Sequence, residues 1–445
     1  MSRELPKGTM LPTMLKANVF TECLLGEGGQ GYVYKVKYNG KDMAAKIYKP
    51  DVHRDPKAFF KNLVNNAKHD APSDRFLWPI DVIMPRGGIF GYIMPLRPAG
   101  YYELSDFMNP RRNVRFSCFR AVANAAIEMT TAFRILHSEG FSYQDLSAGN
   151  FFVEPNTGMI LICDNDNVAA NNNSGILGTP KYMAPEIVRG EITPDTFTDR
   201  FSLSVILFLI FTMTHPLEGR RFVWCNLLTP ENEKILYGTD PVFVLDPIDN
   251  RNRPLPGVQT AIGKVWPELP LYMQLMFTKQ FSRELLIDPS KRQQRATEME
   301  WQELLIRFRG DIISCPSCKG ESFGVGKDPG NPVCSCCKKR LPVRRYAKSG
   351  RMKSDGVAYS VPLMTGTLIY RTQVAPSNID TSGDPILKAV ENPKDPSVIA
   401  LKNISKERIK VQRDNEPEKV IEPGKALAAT PGTRVRACGG ELVIV

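Results

Sequence analysis

Between residues 18 and 50 the chain alternates glycine-rich turns with short runs whose side chains swap sides at each step, as in Gly31-Tyr-Val-Tyr-Lys-Val-Lys37. A period of two predicts strands, and Asn39-Gly40 supplies a hairpin turn before Asp42 to Tyr48. Residues 55–69 predict a helix, and 77–97 predict two further strands around Arg86-Gly87-Gly88. From Phe116 to Ser138, apolar residues and alanines recur at helical spacing and predict one long helix. Beyond residue 200 the pattern is mainly helical, down to Trp301–Arg309. The expected fold is α+β and bilobal over 18–309, with a β-rich lobe at about 18–97 and a helical lobe at about 98–309.

The remainder is of a different character. A cysteine segment occupies 312–345, a β-rich extension follows at 346–373, and 374–397 is dense in Pro, Asp, Ser and Asn, which predicts a linker. Val398-Ile-Ala-Leu, Ile409-Lys-Val-Gln and Glu441-Leu-Val-Ile-Val are strand-like pieces split by turns, so 398–445 is expected to be a small all-β domain. The run Phe201–Met213 is too short to span a bilayer and predicts a buried helix. The N-terminus lacks the apolar core of a signal peptide, so a cytoplasmic protein without a membrane span is expected. In that reducing setting ten cysteines predict no disulfide scaffold. The net charge of +11 favours acidic partners without choosing among ATP, phosphoprotein, nucleic acid and anionic membrane.

Gly26-Glu-Gly28-Gly-Gln-Gly31-Tyr-Val33 lies between two strand patterns. A dinucleotide fold would need a helix after the glycines; a strand suits a loop closing over ATP phosphates, and a plain glycine hairpin is the bland alternative. Lys46 ends Met43-Ala-Ala-Lys46 and can hold phosphates as a fixed charge, while Ala44 leaves room for a flat adenine. A solvent-facing lysine is the commoner role for any lone Lys. Tyr143-Gln-Asp145-Leu-Ser-Ala-Gly-Asn150 puts an acid and an amide five residues apart, suited to orienting a hydroxyl and ligating Mg²⁺. Ile160-Leu-Ile-Cys-Asp164 is an apolar strand delivering one carboxylate at its tip, costly unless the acid meets a cation.

Taken in order with Gly178-Thr-Pro-Lys-Tyr-Met-Ala184-Pro-Glu186, Asp199-Arg-Phe-Ser and Asp288-Pro-Ser-Lys-Arg292, these segments resemble the eukaryotic-like protein kinase family over about 18–309. The strand-end Asp-Asn-Asp and Trp78-Pro-Ile-Asp resemble bacterial kinases found beside phosphatases and stress or tellurite-resistance proteins. The resemblance implies Asp145 as catalytic base and Lys46 on the phosphates. It adds Gly26, Gly28, Gly31, Val33, Ala44 and Met94 to an ATP pocket, with Asn150 and Asp164 on Mg²⁺ or Mn²⁺. It further implies that Asp199 anchors the catalytic loop, that Arg292 pairs with Glu186, and that the substrate is a Ser or Thr of a protein, with a cognate phosphatase as a further partner.

Several positions depart from the family. Gln144 stands where the phosphate-receiving Arg is usual, so phosphorylation at Ser174 or Thr179 has no cationic partner there, and activity independent of it is expected. Ser147 replaces a phosphate-binding Lys, and Asp164-Asn165-Asp166 replaces Asp-Phe-Gly, with Asp166 a candidate extra metal ligand. Lys57–His69 contains no acid to orient Lys46, although Asp55 and Asp70 flank it; either another acid serves, or an Asn, or none. These gaps keep a nucleotide-binding pseudokinase scaffold as an alternative.

Cys315-Pro-Ser-Cys318 and Cys334-Ser-Cys-Cys337 have the spacing of a four-thiolate zinc ribbon, a closed and therefore structural site, against a redox pair or unligated thiols. Cys337 fits the spacing better than Cys336. Lys338-Lys-Arg340 and Arg344-Arg345 follow, without an aromatic pattern for base stacking, since Tyr346 stands nearly alone. A docking or regulatory module is therefore expected over a nucleic-acid-binding one. The oligomeric state is not legible.

Overall fold

The computed structural model describes residues 5–49, 56–86, 89–170, 178–323, 332–351, 358–376, 379–393, 395–413 and 416–445. Asp55, Gly87, Gly88 and Ser174 lie outside them. Five antiparallel strands form the first lobe: β1 (Val19–Glu27), β2 (Gly31–Tyr38), β3 (Lys41–Tyr48), β4 (Asp81–Arg86) and β5 (Ile89–Pro95), in the order β1-β2-β3-β5-β4. One helix, α1 (Pro56–Asn66), packs its Phe59 and Leu63 onto this sheet beside Tyr48 and Tyr92.

The second lobe is built on three helices, Phe119–Ser138, Thr196–Thr212 and Glu298–Asp311, around one large apolar core. The helix Thr196–Thr212 takes in the apolar run and is buried on nearly all sides, so its low amphipathicity reflects its central position. Asp195 caps its start, Oδ1 accepting from the N–H groups of Phe197 and Thr198 at 2.9 and 3.0 Å. Among the described residues no helix is long and apolar enough to cross a membrane.

Below this lobe two knuckles follow. Ile312–Ser314 pairs with Glu321–Phe323, and Phe323 packs edge-on against Phe119 and tilted against Phe308 of the lobe. The strands beyond the knuckles form two sheets over one shared core. The six-stranded sheet pairs Arg345–Arg351 with both Ala358–Leu363 and the chain's last strand, Gly440–Ile444. The four-stranded sheet contains Leu368–Tyr370, Pro385–Asn392, Asp395–Asn403 and Ala426–Ala428.

The expected linker at 374–397 is therefore corrected: much of it is a strand and the turn into the next. Its Pro and Asp residues lie in turns or at strand starts, as Pro385 and Asp395 do, whereas Ile386, Leu387 and Ala389 are buried in the core. The extension at 346–373 and the tail at 398–445 are likewise one body, because their strands hydrogen-bond to each other. This body is fastened to the helical lobe. Arg309 donates to the carbonyls of Asp380 and Thr381 (3.0 and 3.1 Å), and Gln373 donates to Gly310 O (2.9 Å).

Candidate active site

Register decides what faces the cleft. Val33 lies opposite Lys46, and Ala44 opposite Met94, so these four expected pocket residues share one face of the sheet. Ala44 and Met94 are buried in an apolar cluster that also holds Cys163, with Val33 and Phe152 packed against it. Phe152 and Cys163 were missed from sequence; each sits two residues or fewer from a polar motif residue and reads locally as plain strand. Gly26 and Gly28 have open space where a side chain would project, and Gly28 N donates to Gly31 O at 2.9 Å to close the turn. Gly31 plays a different part. A Cβ there would stand 2.2 Å from the carbonyl oxygen of Ile47, so this glycine serves the approach of β2 to β3.

Lys46 is almost fully buried, 4% exposed. Its ammonium donates to Asp164 Oδ1 (2.9 Å), Asp166 Oδ2 (2.9 Å) and Gln30 Oε1 (3.2 Å). Burial lowers its pKa, but Asp166 and Asp164 outweigh that penalty and hold it above the ordinary range. Lys46 thus meets two acids, Asp164 and Asp166, and Asp166 also accepts from the Tyr48 hydroxyl. The two acids differ in access: the Asp164 side chain is 41% exposed and Asp166 is fully buried. Asp166 Oδ2 is engaged by Lys46, while its Oδ1 is buried with no hydrogen-bond partner.

α1 contributes amides instead of an acid. Asn62 Nδ2 donates to the carbonyls of Asp166 (3.1 Å) and Val168 (3.0 Å), and Asn66 Nδ2 to Val168 O (2.8 Å) and, at 3.4 Å, to Asn165 O. Asn62 and Asn66 are four apart and so share a helix face. Asn165, where the family has Phe, donates to the carbonyls of Leu77 and Ile162, both at 3.0 Å.

Asn150 and Asp164 are brought together by a short ladder. Phe151–Val153 pairs with Ile160–Ile162, and Cys163 N donates to Asn150 O at 2.9 Å. Asp164 then turns into the left-handed region (φ 56°), where Asp is among the better tolerated residues. The Asn150 amide oxygen accepts from Ser147 N (2.6 Å) and Ser147 Oγ (2.7 Å), so in this arrangement it caps the turn. Asp145 is pushed up to about 6, first by burial and then by the negative charges of Asp164 and Asp166, against the opposing pull of Lys46 and the Thr179 N–H. Gly178 lies so close that a Cβ there would stand 2.8 Å from Asp145 Oδ1.

The loop bearing Asp145 is anchored from below. Asp199 accepts from the N–H groups of Tyr143 (2.6 Å) and Gln144 (3.1 Å), and His137 Nε2 meets it at 3.1 Å. The other ring nitrogen of His137 lies 2.9 Å from Glu298, which also pairs with Arg200. The Tyr143 hydroxyl donates to Cys163 O, tying this loop to the strand that carries Asp164.

One expected pairing is corrected. Glu186 is held by Arg295, bidentate at 2.7 and 2.8 Å with both side chains 1% exposed, and Arg292 pairs with Asp195. Residues Pro289–Gln294 form a 3₁₀ turn, and the extra turn carries Arg295 into the core while Arg292 stays at its rim.

The four cysteines of the ribbon also converge. The sulfurs of Cys315, Cys318, Cys334 and Cys337 all lie within 4.8 Å of one another, with Cys315–Cys337 at 3.8 Å and Cys318–Cys334 at 3.6 Å. A tetrahedron with metal–sulfur bonds of about 2.3 Å has edges of about 3.8 Å, so the set fits a zinc-sized ion. Cys336 is exposed and turned toward Glu321 O. Ser335 Oγ donates to Glu268 Oε2 at 2.9 Å, joining the second knuckle to the helical lobe.

Comparison with known proteins agrees with this geometry. Residues 21–227 match the protein kinase domain family. The DNA damage-responsive serine/threonine-protein kinase RqkA of Deinococcus radiodurans is 27% identical over 270 residues, covering 57% of this chain and 36% of that protein. Serine/threonine-protein kinase PknB of Mycolicibacterium smegmatis is 22% identical over 447 residues, 95% of this chain and 64% of its own length. A probable PknB of Corynebacterium glutamicum is 24% identical over 219 residues, 44% of this chain and 32% of that protein. The chain spans between about a third and two thirds of these relatives. Residues 21–227 are thus similar to the protein kinase domain family, and these bacterial relatives are serine/threonine-protein kinases.

Proposed function

We propose that this protein transfers the γ-phosphoryl group of ATP to a Ser or Thr hydroxyl of a protein substrate. The observation that supports the reading is that Lys46 of the β-sheet lobe meets Asp164, whose charge acts on Asp145 and whose neighbour Cys163 donates its N–H to Asn150 O. In this reading Val33, Ala44, Met94 and Phe152 enclose the adenine, and the turn at Gly26 and Gly28 covers the phosphates while Lys46 fixes them. Asp145 orients the attacking hydroxyl and accepts its proton. In this reading a groove of about 450 Å³ lined by Ala148, Lys181, Tyr182 and Glu218 would take the peptide chain of the substrate. Asp164, the exposed carboxylate, would hold Mg²⁺ or Mn²⁺, with Asn150 joining it once its amide oxygen leaves Ser147. When bound, the metal neutralises charge developing on the phosphates.

The ion pairs of Lys46 with Asp164 and Asp166 support this reading over a pseudokinase, whose main motive was the missing helix acid. Gln144 donates its Nε2 to Ser142 and its N–H to Asp199, which supports activity that needs no activation-loop phosphate. The four-cysteine cluster would bind one structural zinc ion, and the ribbon with its β-body would serve as a docking or regulatory module in a cytoplasmic setting, with a cognate phosphatase reversing the reaction. The kinship with stress and tellurite-resistance kinases rests on the sequence resemblance.

Labelled ATP tests the reaction. Wild type transfers ³²P to itself or to a generic protein substrate, whereas Asp145→Ala and Asp164→Ala, still folded by circular dichroism, transfer none. Undiminished transfer by both variants would overturn the assignment.

A further inference from the structure

We infer that Asp166 is the positioning acid for Lys46, taking over a duty that a helix-borne acid would otherwise perform; the inference rests on the kinase reading above. Three observations carry it. Asp166 Oδ2 accepts both the Lys46 ammonium (2.9 Å) and the Tyr48 hydroxyl, so Lys46 and Tyr48, two residues apart on β3 and hence on one face, grip a single oxygen. Asp166 is fully buried, so its charge is compensated from within the protein, and Lys46 is the cation in contact with it. Finally, α1 carries no acid toward Lys46. Its Asn62 and Asn66 instead hold the backbone of Asn165, Asp166 and Val168.

The consequence is a division of labour between the two acids. Asp164 faces the cleft and is available to a cation, while Asp166, two residues on, holds the lysine from behind. Lysine, positioning acid and cleft acid thus sit on β3 and one short turn, and α1 acts on that turn through its carbonyls. Lys46 stays aimed without α1 swinging in to supply a charge. Displacing α1 would loosen the turn and leave the ion pair in place.

A double-mutant cycle on nucleotide affinity tests this, using the full chain and a fluorescent ATP analogue with and without Mg²⁺. Asp166→Asn should weaken binding about tenfold, roughly the 1.4 kcal/mol of a disturbed charge pair. In a Lys46→Met background the same change should have almost no effect. An equal loss in both backgrounds overturns the inference. So does a loss seen only as a raised Mg²⁺ requirement with metal-free affinity intact, which would make Asp166 a metal ligand. If Asp166→Asn does not fold, Tyr48→Phe removes one donor from the same oxygen; it should weaken binding two- to fivefold with Lys46 present and not at all with Met. Wild-type protein that binds no nucleotide sinks the kinase reading itself. Wild type that binds and transfers, beside an Asp166→Asn variant indistinguishable from it, sinks only this inference.

Discussion

His137 offers a sharp test of how the loop bearing Asp145 is held. Its imidazole is nearly buried between Asp199 and Glu298, with Arg200 on the far side of Glu298. Burial would lower its pKa, but hydrogen bonds to Asp199 and Glu298 prevail and raise it from 6.5 to about 9. At about 1.36 kcal/mol per pH unit, that preference for the charged ring contributes about 3 kcal/mol of stability. Glu298, drawn down to about 2 despite its burial, shows the same interaction from the other partner and adds nothing further. A group whose pKa is raised on folding contributes fully below its unfolded value and loses that contribution as pH rises through the folded value. The stabilisation should therefore be present at pH 6.5 and gone by about 9.5, a window in which Glu298 stays ionised. Urea unfolding followed by tryptophan fluorescence, wild type beside His137→Gln, measures it. The difference between the two should shrink by about 3 kcal/mol between those pH values. A difference that stays constant within 1 kcal/mol would refute the bridging imidazolium. Because Asp199 also holds Tyr143 and Gln144, the variant should lose phosphoryl transfer along with stability.

Other outcomes follow from the same geometry. Asp145, raised to about 6, must be ionised to accept a proton, so kcat/KM for phosphoryl transfer should rise as pH increases through about 6 and then level off. Arg295→Ala leaves Glu186 buried without its partner and should cost about 3–5 kcal/mol in thermal or urea unfolding. Arg292→Ala, at a more exposed pair, should cost about 1 kcal/mol or less. Metal analysis should find one zinc per chain; Cys318→Ser should lose it and Cys336→Ser should retain it. Asn62→Ala should reduce turnover while leaving the thermal midpoint within a few degrees, because it removes two hydrogen bonds from the turn and no apolar packing.

What the sequence determined by itself was local. The strand-turn-strand around Gly26 and Gly28, the five-residue spacing of Asp145 and Asn150, the acid at a strand tip and the paired knuckles are each set by a few neighbouring residues, because backbone period and turn chemistry act over that range. Tertiary structure alone decided the pairings between distant segments. Lys46 and Asp166 lie 120 residues apart, and Asp166 sits in a polar triplet that offers no sign of which carboxylate turns inward. Arg295 overtook Arg292 because a 3₁₀ turn changed which arginine reached the core. The supposed linker became a strand because its partners and its apolar face are supplied by chain on either side of it. Ion pairs and sheet edges are chosen by burial, where an unmatched charge or N–H is costly, and burial belongs to the folded chain as a whole.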